Sequence, residues 1–300
     1  MRRVLIVGDA VLDVVVRPLG VLVANSDTPS DVLVTRGGAA ANLAVALRAA
    51  IDENFGVEFV GVVGNDETAR LIRADLDGAG VQTRLSEVSG TTGVVVAIVG
   101  NEGERSMMTA RGVNSHLREE HVTPWLDGDL AHLHVSGYSI LDPQTRELAA
   151  RLLETANRWG ASTSVDVCSV GPLRDVGAVV FTQFARGATM LFANEQEALT
   201  LAGGDDLDEA IELLCATWSE VVVTRGALGA VAATGGCSYE AAAVDSGTAV
   251  VDTTGAGDCA TGTYLGRRLA GDDVTLALSA AMIAAADVVR GLGSRGTSRH

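Results

Sequence analysis

Short apolar runs alternate with longer polar or alanine-rich stretches along most of this chain. The runs are rich in valine, leucine and isoleucine, and they occur at 3–8, 57–64, 162–167, 188–193 and 220–224. Continuous apolar runs of this length are typical of strands that are buried on both faces of a parallel sheet. Helical stretches lie between them, at 39–48, 67–77, 144–159 and 276–289. The pattern therefore predicts an α/β protein with a mostly parallel sheet.

Two further segments have a different pattern. Residues 14–34 alternate loosely and contain Pro18, Gly20 and Pro29, so they do not fit a core helix. Residues 91–97 and 104–110 flank a polar turn at 100–103, which is typical of a β-hairpin. We expect both segments to form short strands outside the main sheet.

A glycine-containing turn near the end of the chain carries the strongest chemical signal. The β-branched run at 249–251 predicts a strand end, a turn with Gly255 and Gly257 follows, and a helix is expected to begin near Asp258. The first N–H groups of a helix have no intrahelical partner, so they attract an anion. A carboxylate beside such a site indicates a base that orients a substrate hydroxyl while the turn stabilises a phosphoryl group in transfer.

Two other interpretations of the same turn are possible. Asp258 fits an ordinary helix N-cap, because aspartate is common at that position. The stretch 255–260 also fits the dinucleotide pattern G-x-G-x-x-A. A dinucleotide site needs a second strand with an acidic residue about 20 positions later. The residues after Gly271 predict a helix instead, which disfavours that interpretation.

Composition and charge narrow the choice of partners and compartment. The chain has 300 residues, 47% of them hydrophobic, and a net charge of −16 from 22 basic and 38 acidic residues. Such a surface disfavours binding to nucleic acid and to anionic membranes. No apolar run approaches the roughly 18–20 residues of a membrane helix, and the run at 2–8 is too short for a signal peptide. The four cysteines show no C-x-x-C spacing, so we expect free thiols and a cytoplasmic protein.

A second glycine motif lies at 36–44, in the sequence Arg-Gly-Gly-Ala-Ala-Ala-Asn-Leu-Ala. The pair Gly37 and Gly38 allows the backbone to approach a ligand closely. Asn42 follows in the first turn of a predicted helix, where its amide can bond to neighbouring hydroxyls of a substrate. The alternative for Asn42 is a solvated or capping side chain.

Together, the motifs at 36–44 and 252–258 resemble the two signatures of the ribokinase-like (phosphofructokinase B type) carbohydrate kinases. Their order, their separation and the chain length all match, and the resemblance covers essentially the whole chain. It implies one doubly wound α/β domain over 1–300, with a small β lid from about 13–36 and 92–112. The chain has no Walker motif, so a P-loop kinase is not expected.

The resemblance implies ATP-dependent phosphorylation of a hydroxymethyl group on a sugar. Asp258 would be the base, and the backbone N–H groups of Gly255, Ala256 and Gly257 would stabilise the transferred phosphoryl group. The acceptor would be held by four further residues, which are Asp13, Gly37, Gly38 and Asn42.

The resemblance also implies a nucleotide site. Asn194 and Glu197 match N-x-x-E, in which the glutamate helps to bind magnesium, although the same spacing fits a helix capping box. Thr224, Gly226 and Gly229 match T-x-G-x-x-G, which supports the ATP phosphates.

Several polar residues have two possible roles. Arg111 could bind a phosphorylated or acidic acceptor, or it could pair with carboxylates of the protein. We expect Asp9 to be a turn or cap residue and Asp66 to be a helix cap, and we expect Asp166 to end a strand at the active edge of the sheet. His132 and His134 share one side of a strand, but no third ligand is evident for a metal.

Three alternatives to a sugar kinase remain. The nearest is a nucleoside kinase of the adenosine, inosine or pseudouridine type. The others are a different nucleotide-dependent enzyme and a non-catalytic binding protein. The resemblance also allows a monovalent cation, K⁺, at the Asp252 loop and the tail at 291–296, and a homodimer through the lid.

Overall fold

The computed structural model describes residues 1–100, 105–245, 247, 250–291 and 293 of the chain. Nine strands form the main sheet in the order β13-β12-β11-β10-β9-β8-β1-β4-β5. Their bounds are β1 Arg2–Val7, β4 Phe55–Val63, β5 Gln82–Glu87, β8 Leu130–Ser136, β9 Ser162–Asp166, β10 Met190–Asn194, β11 Glu220–Thr224, β12 Ala230–Thr234 and β13 Cys237–Ala241.

The seven strands from β11 to β5 in this order are parallel, and β12 and β13 add an antiparallel edge. Strand β4 explains why the apolar runs are continuous, because all nine of its residues are buried. Both of its faces are covered by helices, so neither face can carry exposed polar residues. The predicted mostly parallel sheet is confirmed.

Helices cover the two faces of the main sheet in two groups. Helices α1, α2, α10 and α11 pack on one face and α3 to α9 on the other. The bounds on the first face are α1 Ala39–Ala50, α2 Glu67–Gly78, α10 Ala256–Ala270 and α11 Val274–Val288. Those on the second are α3 Glu119–Val122, α4 Gly137–Leu141, α5 Arg146–Arg158, α6 Val170–Val176, α7 Ala178–Ala185, α8 Glu195–Ala202 and α9 Leu207–Cys215. The fold is therefore doubly wound, as predicted.

Four strands form a second, smaller sheet, which we call the lid sheet. They are β2 Val11–Pro18, β3 Ser30–Gly37, β6 Gly93–Val99 and β7 Arg105–Ala110, in the order β3-β2-β6-β7. Both hairpins are antiparallel, and β2 pairs with β6 in parallel. The two segments expected outside the main sheet thus form one sheet. The predicted turn at 100–103 lies outside the described residues except for Gly100.

Two sequence predictions near the glycine turn are wrong in detail. Val250 and Val251 are not in a strand, because the Val251 N–H donates to the Val289 carbonyl at 2.9 Å instead of to a sheet neighbour. The sheet edge is already completed by β13, so this segment is a connection towards α10. Helix α10 begins at Ala256, two residues before the predicted start.

Helices α1 and α10 pack closely through small residues. An added Cβ at Gly262 would lie 2.3 Å from the Leu43 carbonyl oxygen and 3.0 Å from the Leu47 nitrogen. At Gly266 the nearest atom would be Cβ of Ala50, at 3.0 Å. Glycine at these two positions lets the two backbones approach, and this approach fixes the relative position of the residues at the start of each helix.

The histidines of β8 belong to a buried hydrogen-bond ladder. His132 contacts the hydroxyls of Ser162 and Ser164 at 2.7 and 2.8 Å, and His134 contacts Ser164 at 2.8 Å. The two side chains share one side of the strand, as predicted. No group of three metal-binding side chains occurs in the described part of the chain.

None of the helices in the described part of the chain has the length and apolarity that a membrane crossing requires.

Burial of these histidines predicts a loss of stability in acid. Burial lowers the pKa of each to about 3, whereas the unfolded state has the ordinary value of 6.5. Below pH 6.5 these two histidines therefore bind protons in the unfolded state but remain neutral in the folded state. We expect each histidine to reduce the unfolding free energy by about 2 kcal/mol between pH 7 and pH 5.

Urea unfolding at pH 7 and at pH 5 measures this loss of unfolding free energy. His132→Gln, which is neutral at both, should remove about half of the histidine contribution. An unchanged pH dependence in that variant would contradict the prediction.

Candidate active site

A cleft of about 220 Å³ lies between the lid sheet and the carboxyl ends of the parallel strands. Residues at or just after the ends of β1, β8, β9, β10 and β11 line it, together with the starts of α1 and α10 and the inner face of the lid sheet. Crevices at this edge are the usual ligand sites of open α/β sheets. The lining residues with polar side chains are Asp9, Asp13, Asn42, Thr109, Arg111, Tyr138, Asp166, Cys168, Asn194, Glu197, Thr224, Thr254, Asp258 and Thr261.

Asp258 lies at the third position of helix α10, with its carboxylate at the cleft. The N-cap of this helix is Gly255, whose φ of 75° is in the left-handed region that favours glycine. The cap interpretation of Asp258 is therefore wrong. Its Oδ2 accepts a hydrogen bond from Nδ2 of Asn42 at 2.8 Å. This bond joins the two signature motifs, which are 216 residues apart in sequence.

Asn42 uses both ends of its amide within the protein. Its Oδ1 accepts from Arg36 at 2.5 Å while its Nδ2 donates to Asp258. Burial lowers the pKa of Arg36 to about 10, and the nearby carboxylates of Asp258 and Asp13 act in the opposite direction. Asn42 is thus held in place before any acceptor binds. The bidentate contact to two hydroxyls that the sequence suggested is not available from this orientation.

The glycine pair brings the backbone close to two aspartates. A Cβ at Gly37 would lie 2.0 Å from Oδ1 of Asp13, and one at Gly38 would lie 2.5 Å from the Asp9 carbonyl oxygen. Gly38 also has a φ of 96°. Gly38 and Asp13 line the cleft, whereas Gly37 packs behind the Asp13 carboxylate without lining it. Glycine is needed at both positions for this packing, and it also allows a ligand to approach the backbone closely.

The glycine turn itself leaves space at the start of α10. A Cβ at Gly257 would meet no heavy atom within 4 Å, and this residue lines the cleft beside Gly255. The Ala256 N–H donates to the Thr253 carbonyl at 3.3 Å, and Ala256 does not line the cleft. Of the three residues predicted to form the anion site, Gly255 and Gly257 therefore line the cleft and Ala256 does not.

The buried Asp252 side chain fixes the turn from below. Its Oδ1 accepts from the backbone N and the hydroxyl of Thr254, at 2.9 and 2.6 Å, and its Oδ2 accepts from the Gly293 N–H at 2.8 Å. Both carboxylate oxygens are therefore engaged by the protein. Residues 292 and 294–296 of the tail expected to bind K⁺ lie outside the described residues. The K⁺ that the resemblance allows at this loop therefore stays a prediction.

At the end of the cleft formed by β10 and β11, Asn194 and Glu197 form the capping box of helix α8. The Asn194 N–H donates to Glu197 Oε2 at 2.8 Å, and the Glu197 N–H donates to Asn194 Oδ1 at 2.9 Å. The capping interpretation is correct, and both residues also line the cleft with Thr224. Gly226 and Gly229 are in the turn after Thr224 and do not line the cleft.

Three carboxylates converge where β9, β10 and α10 meet. Burial is the main cause that raises the pKa of Glu197 to about 7, and the Asp258 charge adds to it. Asp166 is also buried, and burial with the charges of Glu197 and Asp258 raises its pKa well above the usual range. A cation at this position would relieve the repulsion. The sequence placed Asp166 at the active edge but gave it no role, because the residues after it depart from the family pattern.

Arg111 forms ion pairs with two carboxylates at the other end of the cleft. Its Nε and one terminal nitrogen bind both oxygens of Asp9 at 2.8 and 2.9 Å, and its other terminal nitrogen binds Asp142 at 2.5 Å. Asp9 is therefore not the turn or cap residue that the sequence predicted. It has no helix to cap, because β2 begins two residues later. Asp66, by contrast, caps α2 through a 2.9 Å bond from the Ala69 N–H, as predicted.

Known proteins resemble this chain over almost all of its length. The family model described as pfkB family carbohydrate kinase matches residues 1–299. The ATP-dependent ribose-1-phosphate kinase of Halopiger xanaduensis is 32% identical over 251 residues, which cover 81% of this chain and 76% of that protein. The structure of a probable sugar kinase from Rhizobium etli CFN 42 superposes with a TM-score of 0.89 at 25% identity, covering 99% of this chain and 96% of that one.

A ribokinase-like structure from Escherichia coli, in complex with ATP and Mg²⁺, has a TM-score of 0.84 at 22% identity and covers 99% of this chain and 96% of its own. At this identity the likeness concerns the fold alone. The predicted ribokinase-like fold is confirmed, and so is the predicted class of enzyme. Because a family model spans almost the entire chain, and its two signatures meet at the Asn42–Asp258 hydrogen bond, the chain belongs to the pfkB family of carbohydrate kinases.

Proposed function

We propose that this sugar kinase transfers the γ-phosphoryl group of ATP to a hydroxymethyl group of its acceptor, with Asp258 as the base. The observation that carries the proposal is the position of the Asp258 carboxylate in the cleft, one residue after the open Gly257. The acceptor hydroxyl and the phosphoryl group can then lie next to each other at one helix start.

ATP is made inside the cell, and we therefore also propose a cytoplasmic location.

As the oxygen of the acceptor hydroxyl attacks the γ-phosphorus of ATP, Asp258 accepts the proton of that hydroxyl. The Gly255 and Gly257 region, at the positive end of the α10 dipole, stabilises the negative charge on the transferred group. Phosphoryl transfer needs little covalent chemistry from the protein, so positioning and electrostatics account for most of the rate.

The acceptor is bound between the lid sheet and the start of α1. Asp13 accepts hydrogen bonds from its hydroxyls, and Gly38 lets the ring approach the backbone. Asn42 has a second Nδ2 hydrogen besides the one that it donates to Asp258, and this hydrogen can bond to an acceptor oxygen. Gly37 contributes indirectly, because its lack of a side chain makes room for Asp13.

The electrostatics of the cleft favour an uncharged acceptor. Among the described residues that line it, five are carboxylates and one, Arg111, is a cation. The charge of Arg111 is already compensated by Asp9 and Asp142. A phosphorylated acceptor would be repelled unless Arg111 changed partners. It is nevertheless the second candidate, because the relative from Halopiger xanaduensis is named a ribose-1-phosphate kinase.

Magnesium fits the nucleotide side of the cleft. Asp166 and Glu197 supply buried carboxylate oxygens, and burial together with the neighbouring carboxylates raises their pKa values, so a cation bound there would be stabilised. Mg²⁺ prefers oxygen ligands and keeps several waters, so two carboxylates and the ATP phosphates suffice. When bound, the ion neutralises charge on the phosphates. Asn194 and Thr224 would contact the phosphates beside it, with Gly226 and Gly229 shaping the turn after Thr224.

Glu197→Gln should raise the Mg²⁺ concentration needed for half-maximal activity about tenfold, because a ligand charge is lost. Glutamine keeps an oxygen for the Asn194 N–H, so helix α8 should remain capped. Initial rates at saturating ATP across a Mg²⁺ series measure the change. A matched control is Glu195→Gln, in the same first turn but not lining the cleft. An unchanged Mg²⁺ requirement in Glu197→Gln would exclude Glu197 as a ligand.

An acceptor screen tests the proposed reaction. ADP formation from ATP and Mg²⁺ is measured with paired acceptors, such as ribose and ribose 1-phosphate or fructose and fructose 6-phosphate, and with nucleosides. Turnover with unphosphorylated sugars supports the proposal. Turnover only with the phosphorylated partners would replace it with the second candidate. Turnover with nucleosides alone would favour the nucleoside kinase alternative.

We also propose that two copies of the chain associate through the lid sheet. Strand residues alternate between faces, so the outward neighbours of the cleft residue Asp13 point away from the cleft. One row of valines and a methionine crosses that outer face in register, namely Val34, Val14, Val96 and Met108. Val34 is 53% and Met108 is 55% exposed. A second copy of the same apolar face would cover them.

Val34→Glu should convert this dimer to a monomer, because it places a charge within the apolar row, at the end formed by the edge strand β3. Light scattering after size-exclusion chromatography gives the mass directly. Val179→Glu is the control, since Val179 is 81% exposed on α7, away from the lid sheet. A wild-type chain that elutes as a monomer would refute the association.

A further inference from the structure

A chain of hydrogen bonds connects the cleft to helix α2. Asn42 Nδ2 donates to Asp258 Oδ2 at 2.8 Å, and a terminal nitrogen of Arg36 donates to Asn42 Oδ1 at 2.5 Å. The Nε of Arg36 donates to Asp75 Oδ2 at 2.7 Å. Arg36 is the penultimate residue of the lid strand β3, and Asp75 is on α2. One arginine therefore connects the lid sheet, the main domain and the residue proposed as the base.

Arg36 does not line the cleft and is only 5% exposed, so it does not contact the substrate. Asn42 is 7% exposed and lies between Arg36 and Asp258. Any effect of Arg36 on the reacting groups must pass through Asn42 or through its charge. Buried polar chains of this kind are sensitive to the loss of any member.

The chemistry of the three groups determines which way the Asn42 amide points. Arginine has only donors, and an ionised carboxylate has only acceptors. The amide oxygen must therefore face Arg36 and the amide nitrogen must face Asp258. Without Arg36, the amide oxygen would lose this donor, and of these two bonds only the one to Asp258 would still restrain the side chain.

The charge of Arg36 acts in the same direction. Its guanidinium is near the carboxylates of Asp13 and Asp258, and it pairs with Asp75. A buried cation beside the base favours its ionised form, which is the form that accepts a proton. The carboxylates of Asp166 and Glu197 face Asp258 from β9 and α8 and oppose this effect.

We propose that Arg36 is a positioning residue for phosphoryl transfer, which fixes the Asn42 amide so that its nitrogen faces Asp258 and keeps that carboxylate ready to accept the hydroxyl proton. This inference rests on the proposed role of Asp258. It adds a residue outside the cleft whose effect on catalysis depends on Asn42.

A double-mutant cycle tests this dependence. Arg36→Met removes the donors and the charge at similar volume, and should lower kcat about 10- to 100-fold while KM for ATP changes less than about threefold. Asn42→Ala removes the intermediate amide. In the Asn42→Ala background, adding Arg36→Met should lower kcat by a clearly smaller factor than in the wild-type background, because the residue that transmits the positional effect is already absent and only the effect of the charge remains. Arg36→Lys keeps the charge and a donor, and should recover most of the loss.

Controls separate this effect from damage to the fold. Arg48→Met is a matched substitution, since Arg48 bonds only to the carbonyls of Ile51, Asp52 and Phe55 among the described residues. It should reduce thermal stability without lowering kcat. If Arg36→Met does not fold, the cycle is run with Arg36→Gln, which keeps donors without the charge.

Independent losses that multiply in the double variant would overturn the proposal, and so would an unchanged kcat in Arg36→Met or an equal loss in Arg48→Met. Failure of the base assignment is distinguished by Asp258→Asn. If that variant keeps its turnover, the proposed base is wrong. If it is inactive while the Arg36 and Asn42 losses multiply, only the positioning role is wrong.

Discussion

Asp258→Asn should lower kcat by about 10²- to 10⁴-fold, the range typical of a lost general base. Asparagine keeps the size of the side chain and an oxygen that can accept from Asn42, so helix α10 and the Asn42 contact should persist. It cannot take up the acceptor proton, and this missing step is the source of the expected loss. The measurement is the steady-state rate with the best acceptor from the screen.

Nucleotide binding gives the control for this variant. Calorimetric titration with a non-hydrolysable ATP analogue should give a dissociation constant within about threefold of wild type, because ATP binding does not require the proton transfer. Asp273→Asn is a matched substitution with no expected loss of rate. Asp273 is exposed and is the N-cap of α11, which packs on the same face of the main sheet as α10. Turnover in Asp258→Asn comparable to wild type would remove the assignment of the base.

Gly262→Ala is expected to have the largest effect on stability, at about 1–3 kcal/mol. The new methyl would approach the Leu43 carbonyl to 2.3 Å, so helix α1 would have to move away from α10. Asn42 precedes Leu43, and the same displacement should lengthen its bond to Asp258 and reduce kcat. Urea unfolding followed by fluorescence or circular dichroism measures the first effect, and steady-state kinetics the second.

Gly78→Ala is the matched control for this packing effect. Gly78 is the last residue of helix α2, and a Cβ there would meet no heavy atom within 4 Å. Alanine has the better helix propensity, so this variant should be as stable as the wild type or slightly more stable. A Gly262→Ala protein as stable as Gly78→Ala would show that the α1–α10 contact can relax without cost.

Much of this fold could be predicted because its signals are local. A strand buried on both faces reads as a continuous apolar run, and β4 is such a run. Gly255 requires a left-handed backbone, and its position before a small-residue helix marks the turn regardless of the rest of the chain. The prediction of a strand at 250 and 251 is wrong for the same reason. The local pattern there fits a strand, but β13 already occupies the sheet edge.

The contacts within the site could not be predicted in the same way. Asp9 and Arg111 are 102 residues apart, and nothing near either residue indicates that they form a bidentate pair. Opposite charges just after the ends of two strands, β1 and β7, were the one available signal. Arg36 lies beside the glycine pair, and its bond to Asp75 on α2 joins residues that are 39 positions apart, so no local pattern indicates it.

The connectivity of the lid sheet has a consequence for how such kinases diversify. The β2–β3 hairpin lies between β1 and α1, and the β6–β7 hairpin follows β5, so each half is an insertion at the end of a main-sheet strand. Lengthening an insertion adds little closure entropy, and shortening one leaves the order of the main strands unchanged. Descent can therefore resize the lid side of the cleft by altering two hairpins, while the helix that carries the proposed base and the strands of the main sheet are inherited intact.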